Sequence, residues 1–219
     1  MPQLRAHNLA VSVDGYLAGP RQDQANPLGE GGMQLHEWVF ATPAGREMLG
    51  LPVDASADTD PVDERFIRAG TENIGATVIG RNMFGPVRGA WDPAEPWNGW
   101  WGEDPPYHHP VFVLTHYPRP DLAVKGGTTF HFVTEGIEAA LTQAFSAAGG
   151  ADVRLGGGAA TVQEYLAAGL LDELHLAIVP ILLGSGERLF DHLDGGPPGY
   201  RVIETVQSSR VTHVRIVKD

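Results

Sequence analysis

The sequence predicts an α/β fold, a mixed sheet with helices on both of its faces. Three observations carry this reading. Segments of strand character alternate with segments of helical periodicity through the middle of the chain. Two β-branched segments around Gln207-Ser208-Ser209 read as an antiparallel pair that closes it. The run Val153-Arg154-Leu155-Gly156-Gly157-Gly158-Ala159-Ala160-Thr161-Val162 passes from an apolar strand to a helix through consecutive glycines.

Residues 4–13 form a buried first strand that runs into the Asp14-Gly15 turn. Residues 18–34, rich in Gly, Pro and polar groups, form a long loop, and the aromatic segment 35–40 is a short helix. The acidic stretch 51–60 is a mobile excursion. Residues 61–72 make a helix with Pro61 at its start and Phe66 and Ile67 on one face. A strand at 76–79 ends at Gly80-Arg81, and 86–110 is a long loop holding Trp91, Trp97, Trp100, Trp101 and Tyr107. Strands follow at 111–115 and 129–133, a helix at 137–148, a strand at 153–155 and a helix at 161–168. A strand at 173–183, interrupted at Pro180, precedes the closing pair at 200–206 and 210–217. A chain of 219 residues with this pattern is one domain with long insertions near 18–60 and 85–110.

The net charge of −12, from 15 Lys+Arg against 27 Asp+Glu, argues against nucleic acid or an anionic membrane as the main partner. An anionic ligand then needs a local positive site set against the global field. The absence of cysteine excludes disulfides, a thiol nucleophile and thiolate metal sites. The first residues lack the apolar core of a signal peptide, and no apolar run approaches membrane-spanning length, so a cytoplasmic protein is expected. The scattered histidines, His108-His109 included, show no metal-ligand spacing, and Ser185 lacks a nucleophile-elbow frame.

Glycines at a strand-to-helix junction let a ligand approach the backbone and leave the first helical N–H groups free for an anion. Gly156, Gly157 and Gly158 are therefore a candidate diphosphate cradle, and a tight turn needing positive φ would look the same. The dinucleotide fingerprint G-x-G-x-x-G fails at Thr161, and no Lys-Ser/Thr follows to make a P-loop.

Four segments in order resemble the dihydrofolate reductase-like superfamily: Ser12-Val13-Asp14-Gly15-Tyr16-Leu17-Ala18-Gly19, Val78-Ile79-Gly80-Arg81-Asn82-Met83-Phe84, Leu155-Gly156-Gly157-Gly158, and Asp172-Glu173-Leu174-His175-Leu176 through Gly184-Ser185-Gly186. More narrowly they are similar to the reductase domain at the C-terminal end of riboflavin-pathway deaminase-reductases and its stand-alone bacterial relatives. The resemblance implies a three-layer fold, a mostly parallel sheet and NADPH as cofactor. It implies that Val13 orients the nicotinamide carboxamide, with a mobile flap reaching Gly19. Gly80 and Arg81 would face the adenosine 2′-phosphate, Asn82 and Met83 adding backbone donors and Thr115 and His116 completing that pocket. Gly156, Gly157, Gly158, Ala159, Ala160 and Thr161 would hold the diphosphate. Without the resemblance, Arg81 reads equally well as the partner of a surface carboxylate. The deaminase partner needs Cys-x-x-Cys, which this chain lacks, so a riboflavin role is not implied.

Folate reductases carry a carboxylate in the first helix, and Asp63 and Glu64 fall in the comparable helix as candidate catalytic acids; plain solvated helix acids fit as well. The aromatic residues Trp38, Phe40, Trp100 and Trp101 are candidates for a substrate wall, with a dimer contact or a satellite core as the other readings. The expected activity is NADPH-dependent hydride transfer to a small heterocyclic or carbonyl substrate, related to 5-amino-6-(5-phosphoribosylamino)uracil reductase and dihydrofolate reductase, in a homodimer. The rival is a nucleotide- or small-molecule-binding protein on the same fold without turnover.

Overall fold

The chain starts in the middle of its own sheet. In the computed structural model, which describes residues 1–53, 59–86, 88–94, 96–193 and 199–219, β1 (Leu4–Ser12) leads to a short β2 (Tyr16–Ala18), then α1 (Glu37–Phe40), α2 (Pro43–Met48), α3 (Pro61–Thr71), β3 (Ile74–Gly80) and α4 (Arg81–Phe84). Next come β4 (Pro110–Leu114), β5 (Leu122–Ala123), β6 (Thr129–Val133), α5 (Ile137–Ala147), β7 (Asp152–Leu155) and α6 (Ala159–Ala167). The chain closes with β8 (Glu173–Val179), β9 (Glu187–Arg188), β10 (Tyr200–Gln207) and β11 (Thr212–Lys218).

Among the described residues nine strands make one sheet in the order β10-β11-β8-β1-β7-β3-β4-β6-β5, and β2 pairs with β9 apart from it. All neighbours from β8 to β6 run parallel. β11 lies antiparallel on β8, β10 on β11, and β5 on β6. This is the mixed, mostly parallel sheet with a C-terminal antiparallel pair that the sequence predicts. The strand expected at 173–183 stops at Val179, because beyond Pro180 the chain leaves the sheet and the Ile181 carbonyl instead accepts the Val13 N–H at 3.1 Å. α2 has only six residues, too few to show a period, and starts at Pro43 with the Thr42 hydroxyl accepting the Gly45 N–H at 3.0 Å. In the stretch 51–60, residues 54–58 lie outside the described residues.

The two faces of the sheet are filled differently. Leu4, Ala6, Leu9, Val11, Val78, Val153 and Leu155 join Ala140, Ala144, Val162 and Tyr165 in the main core, beneath α5 and α6. The opposite face carries Ala10, Leu35, Trp38, Ile67 and Val179 under α1 and α3, and a third cluster of Ile79, Phe84, Val111, Val113 and Phe130. In β1 the pair Leu4/Ala6 and the pair Leu9/Val11 are out of phase by one residue. A bulge resolves this: the register with β8 shifts between Ala6 and Leu9, and Asn8 takes φ 59°, which returns both pairs to one face.

α3 is capped by Asp60, whose carboxylate accepts the Val62 N–H at 2.9 Å, and Pro61 opens the helix. Its buried residues Asp63, Phe66, Ile67 and Gly70 follow helical spacing. Gly70 lets the helix settle on the β1 bulge, since a Cβ there would stand 2.2 Å from Asn8 Nδ2.

Candidate functional site

Parallel strands present their C-terminal ends together, and there the chain can leave the sheet to hold a ligand. β7 ends into Gly156, whose N–H donates to Val78 O at 2.8 Å, and Gly157 O accepts the Gly80 N–H at 3.3 Å. The glycine run thus lies directly against the end of β3. Gly157 has φ 104° and Gly158 φ 48°, both in the region that favours glycine. Gly158 is the N-cap of α6 and supplies no side-chain cap, so the N–H groups of Ala159, Ala160 and Thr161 have no partner within the helix. Gly80 is held to glycine by contact: a Cβ would come 2.2 Å from Thr161 Oγ1. Met83 Sδ stands 4.0 Å from where a Gly157 Cβ would be.

Arg81 is the first residue after Gly80, on α4. Its guanidinium lies over the Trp91 ring at 3.2 Å and donates to Thr115 Oγ1 at 2.8 Å and Gly89 O at 3.1 Å. Its Nε is buried without a partner. Burial, then the charges of Arg88 and Arg119, lower its pKa. Arg88 donates to Gly85 O at 3.2 Å. Arg119 donates to Trp97 O at 2.5 Å and Asn98 Oδ1 at 2.7 Å. None of the three forms an ion pair among the described residues, in a chain where acids outnumber bases. Thr115 is buried beside Arg81, whereas the adjoining His116 is exposed. Asn82 is exposed, and its carbonyl accepts the Trp100 indole N–H at 3.1 Å. The expected cofactor residues Gly80, Arg81, Met83, Thr115, Gly156, Gly157, Gly158 and Thr161 are therefore contiguous at the C-terminal ends of the central strands β7, β3 and β4.

The flap is tethered at both ends. Asp14 accepts the N–H of Gly184 at 2.7 Å and of Leu183 at 3.1 Å, and these bonds, after that of Ser12, hold its carboxyl at about 2. β2 pairs with β9. A Cβ on Gly19 would fall 1.9 Å from Glu30 O, so glycine permits the loop at 28–30 to close on the flap. Val13 is exposed at the end of β1.

The candidate acids lie elsewhere. Asp63 is 1 % exposed, and its Oδ1 is 2.8 Å from His213 Nε2. His213 Nδ1 is 3.0 Å from His175 Nε2, and His175 Nδ1 accepts the Asn8 N–H at 3.1 Å. An amide N–H can only donate, which fixes the protons all along this chain: His175 carries its proton on Nε2, His213 on its own Nε2, and Asp63 accepts. Phe66 stacks on both imidazoles, at 4.3 and 4.1 Å, and Trp38 meets His213 edge-on. Glu64 accepts the Ala44 N–H at 3.0 Å and pairs with Arg68 at 2.5 Å. Neither carboxylate is brought to the glycine run.

Burial above all, with the positive charge of Arg215 nearby, holds His175 at about 2, so it is neutral in the folded chain. Glu173 is also held at about 2; burial opposes its ionisation, but the hydrogen bonds of His7 and Arg215 outweigh it. The two act in sequence on acidification. Unfolding lets His175 take a proton below its ordinary pKa near 6.5, so stability falls with pH from there by about 1.4 kcal/mol per unit. Glu173 adds its loss only below about 4.5. Denaturant titrations at pH 7 and 5.5 should show this slope in the wild type and a shallower one, by that amount, in His175→Gln; equal slopes would remove His175 from the account.

The aromatic residues divide into separate groups. Trp38 is 1 % exposed in the α1–α3 cluster, and Phe40 is half-buried beside it. Trp91 and Trp97 fold back onto the third cluster with Phe84, Phe130 and Phe132. Trp97 donates to Phe84 O at 3.0 Å, and Trp100 packs edge-on against Trp97 at 5.1 Å. Trp101 is 45 % exposed. Trp100 thus lies with α4 rather than with Trp38. Sequence reasoning passed over His175, His213 and Arg154. A single cation inside the apolar run Val153-Arg154-Leu155 was the available signal for the last.

Among the described residues no group of three or more His, Asp or Glu side chains is placed to hold a metal ion, and no helix is long and apolar enough to cross a membrane.

The sequence profile of the family described as RibD C-terminal domain matches residues 6–212. Among solved structures, a protein from Shewanella sp. PV-4 named for riboflavin biosynthesis superposes with a TM-score of 0.59 at 22% identity, covering 100% of this chain and 99% of that one. RibD of Acinetobacter baumannii gives 0.55 at 16% identity, covering 100% of this chain, which spans only 58% of that protein. Dihydrofolate reductase from Enterococcus faecalis, complexed with NADP(H), gives 0.50 at 16% identity over 99% of this chain and 96% of that one. The fold is dihydrofolate reductase-like. No curated protein matches the chain in sequence.

Proposed function

The chain belongs to the RibD C-terminal domain family, and on that premise we propose that it is an NADPH-dependent reductase of a small heterocyclic or carbonyl substrate. One observation carries the reading: the glycine run and the free N–H groups of α6 abut Gly80-Arg81, where Arg81 and the neighbouring Arg88 and Arg119 have no ion-pair partners among the described residues. The residues present fit the cofactor. Gly80, Gly157 and Gly158 keep the cradle clear of side chains, and Arg81, held by neutral acceptors only and with its Nε unpartnered, has a positive charge still open to an anion.

When bound, the nicotinamide supplies the hydride. The work of this chain is to hold and orient. The α6 N-terminus would hold the diphosphate, Arg81, Thr115 and the neighbouring Arg88 and Arg119 would favour a 2′-phosphate, and Val13, just after β1, adjoins the tethered flap. The engagement of both Asp63 and Glu64 favours a second reading, a nucleotide-binding protein without turnover.

Titration with NADPH and NADH, followed by tryptophan fluorescence and heat, tests the proposal. Tight NADPH and weak NADH binding are expected; binding of neither would overturn it. NADPH oxidation across pterins, flavin precursors, quinones and aldehydes separates reductase from binding protein.

A further inference from the structure

Arg154 sits on β7 between Val153 and Leu155, which point into the core beneath α5 and α6. Its side chain therefore leaves from the opposite face, the face that carries α3 and the 85–110 loop. The residue is half-buried, its Nε is fully enclosed, and it has neither a hydrogen-bond acceptor nor an ion-pair partner among the described residues. Its register neighbours are Arg5 on β1 and Thr77 on β3. Arg5 is engaged by Asp152 at 3.1 Å and by Glu72 O at 2.5 Å. Thr77 Oγ1 is bonded to His109 Nε2 at 2.7 Å.

Tyr107 and His109 are the titratable groups of the loop that feel the charge of Arg154. Neither supplies a negative one. Burial pushes Tyr107 up, so its phenol stays neutral. Burial, then Arg154 itself, holds His109 at about 4, so its imidazole is neutral as well. A guanidinium partly withdrawn from water, beside an arginine that already engages the nearby carboxylate of Asp152 and with no anion of its own, is an unfavourable arrangement for a folded chain alone. With 27 acidic residues in the sequence, its lack of a partner points to a charge brought from outside. Gly156, where the cradle begins, is two residues further on.

We propose that Arg154 anchors an anionic group of the substrate, a carboxylate or a phosphate, on the sheet face between α3 and the 85–110 loop. The planar fork of the guanidinium suits either oxyanion, with Tyr107 as a neutral neighbour. The substrate of the proposed reductase is then an acid or a phosphate ester, and this inference rests on that reading.

The test follows the melting temperature of the protein, with and without saturating NADPH, on addition of inorganic phosphate or benzoate. Saturation with NADPH keeps phosphate from the cofactor cradle. Either anion should raise the melting temperature of the wild type. In Arg154→Met and Arg154→Gln that affinity should fall by about tenfold or more, with NADPH affinity unchanged. Both variants should melt no lower than the wild type in the absence of anion, because an uncompensated charge is removed. A response to phosphate alone selects phosphate esters, and one to benzoate alone selects carboxylic acids. No response in the wild type, an equal response in the variants, or a lower melting temperature in both variants would overturn the assignment. If NADPH fails to bind while the Arg154-dependent response persists in the free protein, the reductase reading falls and the anion site stands.

Discussion

Replacing Asp63 with alanine should lower folding stability by about 3 kcal/mol, a large share of the roughly 5–15 kcal/mol typical of a domain. The carboxylate is 1 % exposed, and His213 and His175 behind it are 0 % exposed. Removing the acceptor leaves the His213 Nε2–H without its partner in a buried site between Phe66 and Trp38. It also loosens α3, whose Asp60 is tied separately to Ser209 N–H at 2.7 Å. Asp63→Asn keeps an acceptor oxygen at the same place and should lose about half as much or less. Urea titration reads both: a lower midpoint at unchanged slope is expected. If alanine leaves the midpoint where it was, the Asp63–His213–His175 chain contributes nothing to folding.

The second large effect concerns Arg81. Its guanidinium is already oriented by Trp91, Thr115 and Gly89 O, so little ordering remains when an anion arrives. Charge-assisted hydrogen bonds of this kind contribute about 1.5–3 kcal/mol. Arg81→Ala should therefore weaken NADPH about 10- to 100-fold and leave NADH nearly unaffected. Arg81→Lys should recover part of the loss, because a point charge cannot reproduce the fork or the stacking on Trp91. Equal losses for the two cofactors would remove Arg81 from the 2′-phosphate.

Much of the fold was legible because parallel strands buried on both faces read as apolar runs, as in Leu174-His175-Leu176-Ala177-Ile178-Val179. The glycine run and Gly80-Arg81 were legible because a strand-to-helix junction needs those backbones locally. The Asp63–His213 pair was not: its members are 150 residues apart, and only the placement of β11 on β8 brings them together. The strand β5 and the helix α2 are too short to show a period. The tryptophan-rich loop was ambiguous because apolar bulk does not say which surface it covers; Phe84 just before it and Phe130 and Phe132, about twenty residues beyond its end, decide that together.

The one-way order of donors from Asn8 through His175 and His213 to Asp63 also makes those two imidazoles a clock. Their Nε2 protons are closed off by Phe66 and by the helix that carries it. Exchange with deuterium then requires that α3 lift from the sheet, so the lifetime of two ring protons measures how often this one helix opens while the rest of the protein stays folded.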